Sequence, residues 1–308
     1  MQSETAFYWA FQVVKLEIAR KPAFGSNIQS TSWNSETRTY TYDGLSRLTK
    51  STGANREELE YDRNGNITKL KRWLNNTMVD DLTYNYNGAG NQLGSVIDYS
   101  SGSDGFKTGS SNGFSYDGNG NMTADNSKNI NVSYNDLNLV RQVTGGVPTQ
   151  NYLYGGDGQK LAQHNGTQWK NYLGAGEYVA GKIYRMATAE GYIVPNTGYT
   201  AGSSTGKYSY YYNLSDHLGN IRIVIGDDAN ATQIQTNDYT PFGLAISSDV
   251  SKNKYLYNGK ELQGGTNWLD YGARMYYPEL GKWMVVYPLA EKGRRCLDIF
   301  MWLIIQLF

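Results

Sequence analysis

The chain has a single cysteine, Cys296, so no disulfide can form within it, and hydrogen bonding and apolar burial must hold the fold. That suits a bacterial-type surface protein and a cytosolic protein equally. Its two histidines, His164 and His217, lie far apart with no second His or Cys at ligand spacing, which argues against zinc. Excess charge of either sign is lacking: 28 basic residues balance 28 acidic ones. With basic runs confined to Lys69–Trp73 and Lys292–Arg295, nothing draws the chain to nucleic acid or to an anionic membrane. The apolar stretch Leu297–Phe308 has only about half the length that crosses a bilayer, so no membrane span is expected. No secretory signal is evident either. Glu4 precedes the first apolar run, Lys15, Arg20 and Lys21 follow it, and no small-residue cleavage site is present. Instead Phe7, Phe11, Val14 and Ile18 recur at helical spacing and predict a short amphipathic helix over Ala6–Arg20.

Proline is also scarce, with 6 residues, whereas there are 27 tyrosines and 35 glycines and only 18% of residues are charged. Such a composition favours strands joined by tight turns. The phrase Tyr-Asp-Gly-Asn-Gly-Asn-Met-Thr at Tyr116–Thr123 shows how they are built. Tyr116 ends a strand, Asp117 folds back onto the turn, Gly118 and Gly120 accept unusual backbone angles, and Asn121 leads into the next strand. Looser copies begin at Tyr42, Tyr61, Tyr86, Tyr134, Tyr154 and Tyr212, mostly about 20 to 30 residues apart, the spacing of a repeat array. In the copy at Tyr61, the alternation predicts that Ile67 and Lys69 face one way and Thr68 and Leu70 the other. Tyrosine suits this role because its ring can pack on the next hairpin while its hydroxyl reaches water or a backbone group, giving a ladder down the sheet.

From Tyr208 a second set of phrases appears: Tyr212-Asn-Leu-Ser-Asp-His-Leu-Gly-Asn-Ile221, Tyr239-Thr-Pro-Phe-Gly243, Tyr257-Asn-Gly-Lys-Glu261, Leu269-Asp-Tyr-Gly-Ala-Arg-Met-Tyr-Tyr-Pro278 and Gly281-Lys-Trp-Met-Val-Val-Tyr-Pro-Leu-Ala-Glu291. Within them Tyr212, Asp216, Gly219, Tyr239, Pro241, Gly243, Tyr271, Arg274, Tyr276, Gly281 and Trp283 are the motif positions. In this order the phrases resemble the RHS repeat-associated core, and the upstream units resemble the YD repeats of the same family; the likeness runs from about Trp33 to Glu291. The resemblance implies a long β-hairpin strip wound into a hollow shell, as in bacterial polymorphic toxins, the C component of toxin complexes and teneurins. It also implies a secreted or cell-surface location and a core that closes one end around a C-terminal effector, often with aspartate-dependent self-cleavage.

Two departures bear on that cleavage. Where the family reads Asp-Pro-Leu-Ala-Glu this chain has Tyr287-Pro-Leu-Ala-Glu291, and a phenol cannot serve as a carboxylate base at neutral pH. After Arg295 the expected Asn-Pro and Asp-Pro-x-Gly phrases give way to the apolar tail, which reads as an out-of-frame or truncated end.

Other constellations favour architecture over chemistry. Asp117, Asn119, Asn121 and Thr123 alternate like calcium ligands, but Met122 and Lys128 stand where an EF-hand needs Gly and Glu. Ser215, Asp216 and His217 are consecutive on a turn and point apart, unlike a triad. Asp80-Asp81 and Asp227-Asp228 read as solvated loop charge, and Trp73, Trp169 and Trp268 as exposed aromatics that pack between hairpins or stack on sugars.

The expected fold is therefore all-β: an array of antiparallel hairpins forming a curved, barrel-like strip. It divides into residues 1–32 as a lead segment, 33–206 as the YD array, 207–291 as the core and 292–308 as an atypical tail. Some 20 strands at about 4.8 Å each make a strip about 95 Å across, roughly one turn of a wide barrel with two open edges. The expected function is a non-enzymatic section of a shell, without cofactor or metal. Its expected partners are other RHS/YD segments or an encapsulated effector, with a surface adhesion module for a glycan or protein as the alternative and a self-cleaving or glycan-active enzyme a distant third.

Overall fold

In a computed structural model of the chain, the described residues are 17–20, 27–33, 36–88, 90–102, 104–107, 113–196, 207–228, 231–247 and 249–286. Among them the only helical element is a 3-10 turn at Tyr257–Gly259. Strands from Glu17–Arg20 to Leu93–Asp98 form an eight-stranded sheet, and those from Phe114–Tyr116 to Ala245–Ser247 a fourteen-stranded one. Each strand pairs antiparallel with its neighbour in sequence. The two sheets join edge to edge through a bridge between Ser95 and Gly113, so 8 + 14 strands make one strip of meandering hairpins. Four short strands, Glu261–Gln263, Trp268–Asp270, Met275–Tyr277 and Lys282–Trp283, form a separate sheet.

The lead segment departs from its expected helix. Glu17–Arg20 is a strand on the first sheet's edge, where pairing with Ile28–Trp33 overrides the helical spacing of the apolar residues. The rest of that predicted helix, together with Cys296, Tyr287 and the apolar tail, lies outside the described residues.

One turn builds the strip. In the copy at Tyr116, the Asp117 Oδ1 accepts the backbone N–H of Asn119 and of Asn121, both at 2.9 Å, and its Oδ2 accepts the Asn121 side chain. Asp43, Asp62 and Asp216 make the same pair of backbone bonds, and Asn135 makes them with its amide oxygen. The fourth residue beyond the strand end has positive φ in each: Ser46, Gly65, Gly120, Asn138 and Gly219. Thus the alternating oxygens at Asp117 cap a turn. Tyr239-Thr-Pro-Phe-Gly243 repeats it with the Thr240 hydroxyl as the cap. The phrase starting at Tyr212 carries its turn three residues later, with Ser215 in the tyrosine's place opposite Ile221.

Each carboxylate- or amide-capped turn is followed by a β-bulge, whereas the register after the Thr240-capped turn runs on unbroken. Tyr61 faces Ile67 and Glu60 faces Lys69, leaving Thr68 without a partner. Thr49, Gly94, Thr123, Arg141, Leu161 and Arg222 are the equivalent extra residues elsewhere. The bulge corrects the expected alternation at Ile67–Leu70. One added residue shifts the phase, so Ile67 and Leu70 both point into the core.

The tyrosine hydroxyls then link each hairpin to the one before. Tyr61 donates to the Leu48 carbonyl, Tyr86 to Ile67, Tyr116 to Leu93, Tyr134 to Met122 and Tyr239 to Ile221, at 2.6 to 3.0 Å. The accepting residue is the one paired with the previous turn's strand-ending residue, so the rungs of the ladder are hydroxyl–carbonyl bonds. Burial pushes the Tyr116 phenol up to about 12 and keeps it a donor at neutral pH.

Replacing Asp117 with Ala removes both caps and is expected to cost about 1–2 kcal/mol, seen as a lower urea midpoint. Asp117→Asn should retain most of that stability, because Asn135 holds its own turn by the same two bonds.

Candidate functional site

The short four-stranded sheet lies against the concave face of the strip, and the residues that seat it are buried. Trp268, Met275, Tyr277, Leu280, Met284 and Val285 share one apolar core with Leu48, Leu59, Ile67, Leu70, Leu82 and Val96 of the first sheet and Val132, Val143 and Tyr152 of the second. The concavity is therefore filled by the chain itself. Several motif positions meet within the seat. Tyr271 and Tyr276 pack edge-on with ring centroids 6.0 Å apart, Trp283 lies 4.9 Å from Tyr271 and 5.1 Å from Tyr276, and the Arg274 guanidinium stands 3.9 Å over Trp283. Tyr239 joins through the Tyr257 ring, and the Tyr257 hydroxyl donates to the Pro241 carbonyl. Gly243, at φ +83°, lies so close to Tyr257 that a Cβ would come within 2.5 Å of the ring. Gly281 turns beneath Phe242 and Ile67. Tyr212 and Gly118 stand apart from this group, the first within the strand Tyr208–Ser215 and the second at an open turn.

Charge anchors the seat where apolar contact does not. Arg72, fully buried, lies directly across from Glu57 on one neighbouring strand and Asp80 on the other. It bonds both, with Nε 2.7 Å from the Glu57 carboxylate, and donates to the Pro278 and Glu279 carbonyls of the inner sheet. The remaining carboxylate oxygens accept the Phe242 and Phe106 N–H groups, so every member of the network has several partners. Burial drives the Asp80 carboxyl upward and Arg72 opposes it. This corrects the reading of Asp80-Asp81 as loop charge: both lie in the strand Thr77–Tyr86, and alternation sends Asp80 inward and Asp81 out to Lys71.

Further along the strip, Lys160 bonds Glu261 and Asp270, which face one another in the inner sheet. Lys170 bonds Glu261 and Glu177, and the Tyr172 hydroxyl reaches Glu261 at 2.8 Å. Burial alone would raise the Glu261 carboxyl, but Lys160 and Lys170 outweigh it and hold it at about 2. A third group joins the first hairpins to the last: Asp238 is shared between Arg38 and Arg222, and Arg38 also donates to the Tyr239 carbonyl at 2.8 Å. The strip thus comes round on itself, held across the seam by side chains.

The other predicted features are dispersed. Asp216 caps its turn and bonds Arg222 at 2.9 Å, which commits its oxygens away from Ser215 and His217. His164 packs on Trp169, 5.3 Å between centroids. Trp268 is completely buried in the inner sheet, contrary to its expected exposure, while Trp169 is half-exposed and Trp73 lies under Arg56. Asp228 caps the Thr232 N–H. Among the described residues, no group of three or more His, Cys, Asp or Glu is placed to hold a metal. No helix among them is long and apolar enough to cross a membrane. Sequence reasoning missed Glu57, Arg72, Lys160, Lys170, Glu177 and Glu261, although Glu57, Arg72 and Asp80 each stand two places from a buried Leu on the same strand face.

No family model matches the sequence. Salivary gland surface protein 1 of Aedes aegypti is 30% identical over 86 residues, 27% of this chain and 2% of its own length. The crystal structure of TcdB2-TccC3-Cdc42 superposes with a TM-score of 0.69 at 18% identity, over 90% of this chain and 16% of that one. The crystal structure of TcdB2-TccC3-TEV gives 0.67 at 16% identity, over 89% and 16%. This chain therefore spans a small part of each relative. The likeness shows the fold, a curved strip of antiparallel hairpins, which is the fold implied by the RHS and YD phrases.

Replacing Arg72 with Met leaves the buried Glu57 and Asp80 carboxylates without their shared cation and is expected to cost about 3–5 kcal/mol, read as a collapse of the urea midpoint. The held-down Glu261 carboxyl contributes stability that is present above its ordinary value near 4.5 and lost as pH falls toward about 2. That contribution is about 3 kcal/mol. Unfolding midpoints followed by tyrosine and tryptophan fluorescence should fall over this window, and Glu261→Gln should flatten the fall.

Proposed function

We propose that the chain is a structural section of an RHS-type shell, a secreted or surface-located wall that encloses or displays a C-terminal effector. The observation that carries this reading is the seat itself: the segment after Tyr239 folds back onto the concave face and is fastened there by buried charges from strands as distant as Arg72 and Lys170. Such an arrangement fixes a shape and closes an end. Among the described residues of the seat, the polar side chains are bonded to one another and to backbone groups. In this reading, residues 33–206 are wall, residues 207–291 are the closing core, and the motif residues from Tyr116 to Trp283 are turn, rung and seat. The likeness in fold to TcdB2-TccC3-Cdc42, of which this chain covers only 16% of the matched chain, supports further hairpin segments or an effector as partners. Self-cleavage is not part of the proposal, because Tyr287 occupies the aspartate's position.

Two measurements test it. Purified protein held at neutral pH should keep its intact mass over days, and co-expression with a second, separately tagged array of YD hairpins should yield a complex by native mass spectrometry. A fragment ending near Val286, or failure of the two arrays to associate, would overturn the reading.

A further inference from the structure

A lysine, a carboxamide and a carboxylate meet where the inner sheet touches the turn between Met122–Asp125 and Ile130–Tyr134. We propose that they tie the two together by an amide bond between the side chains of Lys128 and Asn267, with Glu279 as the acid–base residue. The proposal goes beyond the scaffold role and uses only this contact between strip and inner sheet.

The Lys128 ammonium donates to Glu279 Oε1 at 3.0 Å and lies 2.9 Å from its Oε2. The Asn267 carboxamide donates to the same Oε1 at 3.3 Å, so amine and amide are first neighbours of one oxygen. Lys128 also donates to the Thr266 carbonyl at 2.8 Å, which holds the amine against the residue next to its target. The amine and the acid are sheltered: their side chains are 13% and 6% exposed, and the Tyr277 ring centre lies 4.5 Å from the ammonium. Trp268, completely buried, packs with its ring 6.0 Å from that of Tyr277. Beside aromatic walls two charges are costly to keep, which favours passing a proton from ammonium to carboxylate and leaving a neutral amine. Asn267 is itself exposed, which gives released ammonia its way out. Lys160 and Lys170 meet carboxylates, whose negative charge repels a nucleophile, whereas Lys128 meets an uncharged carboxamide as well.

The step needs no outside reactant. Glu279 takes one proton from the ammonium, and the freed Nζ lone pair attacks the Asn267 Cγ, whose carbonyl π pair moves onto its oxygen. Glu279 then hands that proton to Nδ2 through the contact already in place. The oxygen pair re-forms the carbonyl, the Cγ–Nδ2 bond breaks, and the nitrogen leaves. A second Nζ proton departs with it as ammonium, and Glu279 ends ionised as it began.

Intact-mass spectrometry on the purified full chain should give a value one ammonia, about 17 Da, below that of the sequence. Its tryptic digest should contain residues 108–141 joined to residues 261–274, because trypsin does not cut at a lysine acylated on Nζ. Lys128→Arg and Glu279→Gln should each restore the mass expected of the sequence and abolish the joined peptide, with an unchanged far-ultraviolet circular dichroism spectrum. A wild-type chain of full mass overturns the proposal, as does a joined peptide that persists in folded Glu279→Gln. Loss of ammonia without the joined peptide, as a succinimide at an Asn-Gly pair such as Asn64-Gly65 would give, overturns it too. The link forms on folding and leaves the chain uncut, so neither the fragment nor the association that tests the scaffold reading depends on it.

Discussion

The carboxylate-capped turn with its trailing bulge is the constraint from which the rest of the structure follows. A hairpin array needs a tight reversal at each strand end, and an Asp or Asn side chain that takes two backbone N–H groups makes it without calling on neighbours. The bulge that follows adds one residue to one strand only, which bends the pair and increases its twist. Repeated on one side of the strip, that bend is cumulative. It explains why the strip comes round far enough for Arg38 near its start to meet Asp238 near its end. It also frees a carbonyl environment at each turn, which the next tyrosine hydroxyl fills, so that curvature and hairpin-to-hairpin attachment arise from the same few residues.

This origin determines what could be read in advance. The turns and the strand-ending tyrosines are local, and Tyr-Asp or Tyr-Asn followed by glycine announces them directly. The bulge is not local: nothing in Ile67-Thr-Lys-Leu70 distinguishes an even alternation from one interrupted at Thr68, and only the opposing strand decides. The inner sheet was equally hidden, since strands of two or three residues are too short to show any period. Its existence could be expected only through the ordered phrases after Tyr208. The buried charges lay between these extremes. Glu57, Arg72 and Asp80 each keep phase with a core leucine, but their complementarity becomes visible only once the register places them opposite each other.

The distribution of anchoring follows from the composition of the two regions. The strip from Leu48 to Tyr152 presents aliphatic residues inward and holds the inner sheet mainly by apolar burial, with Arg72 as a buried polar fastening that fixes register and orientation. From Lys160 to Arg185 the inward positions carry lysine, glutamine, glutamate and arginine instead, and the inner sheet answers with Glu261 and Asp270. Apolar packing alone would allow the small sheet to slide, because it is not directional. Matched charges on the opposite side do not allow it, since a shift by one residue would leave several buried ions unpaired.

The seam shows why a strip of this kind can be both closed and extensible. Had the first and last strands paired through their backbones, the sheet would be a barrel and its edges would be gone. Here the closure is made by Arg38 and Asn55, which both bond Asp238, so it spends side chains, and among the described residues no strand pairs with the two edge strands across the seam. An edge left in that condition can receive another hairpin without breaking the closure, as the proposed role in a longer wall requires. The gap left between two edges that meet through side chains is also what makes room for a cavity beside Trp33 and Ser247. Open edges and a cavity at the seam are thus two consequences of one choice, closing the strip by side chains and not by ladder.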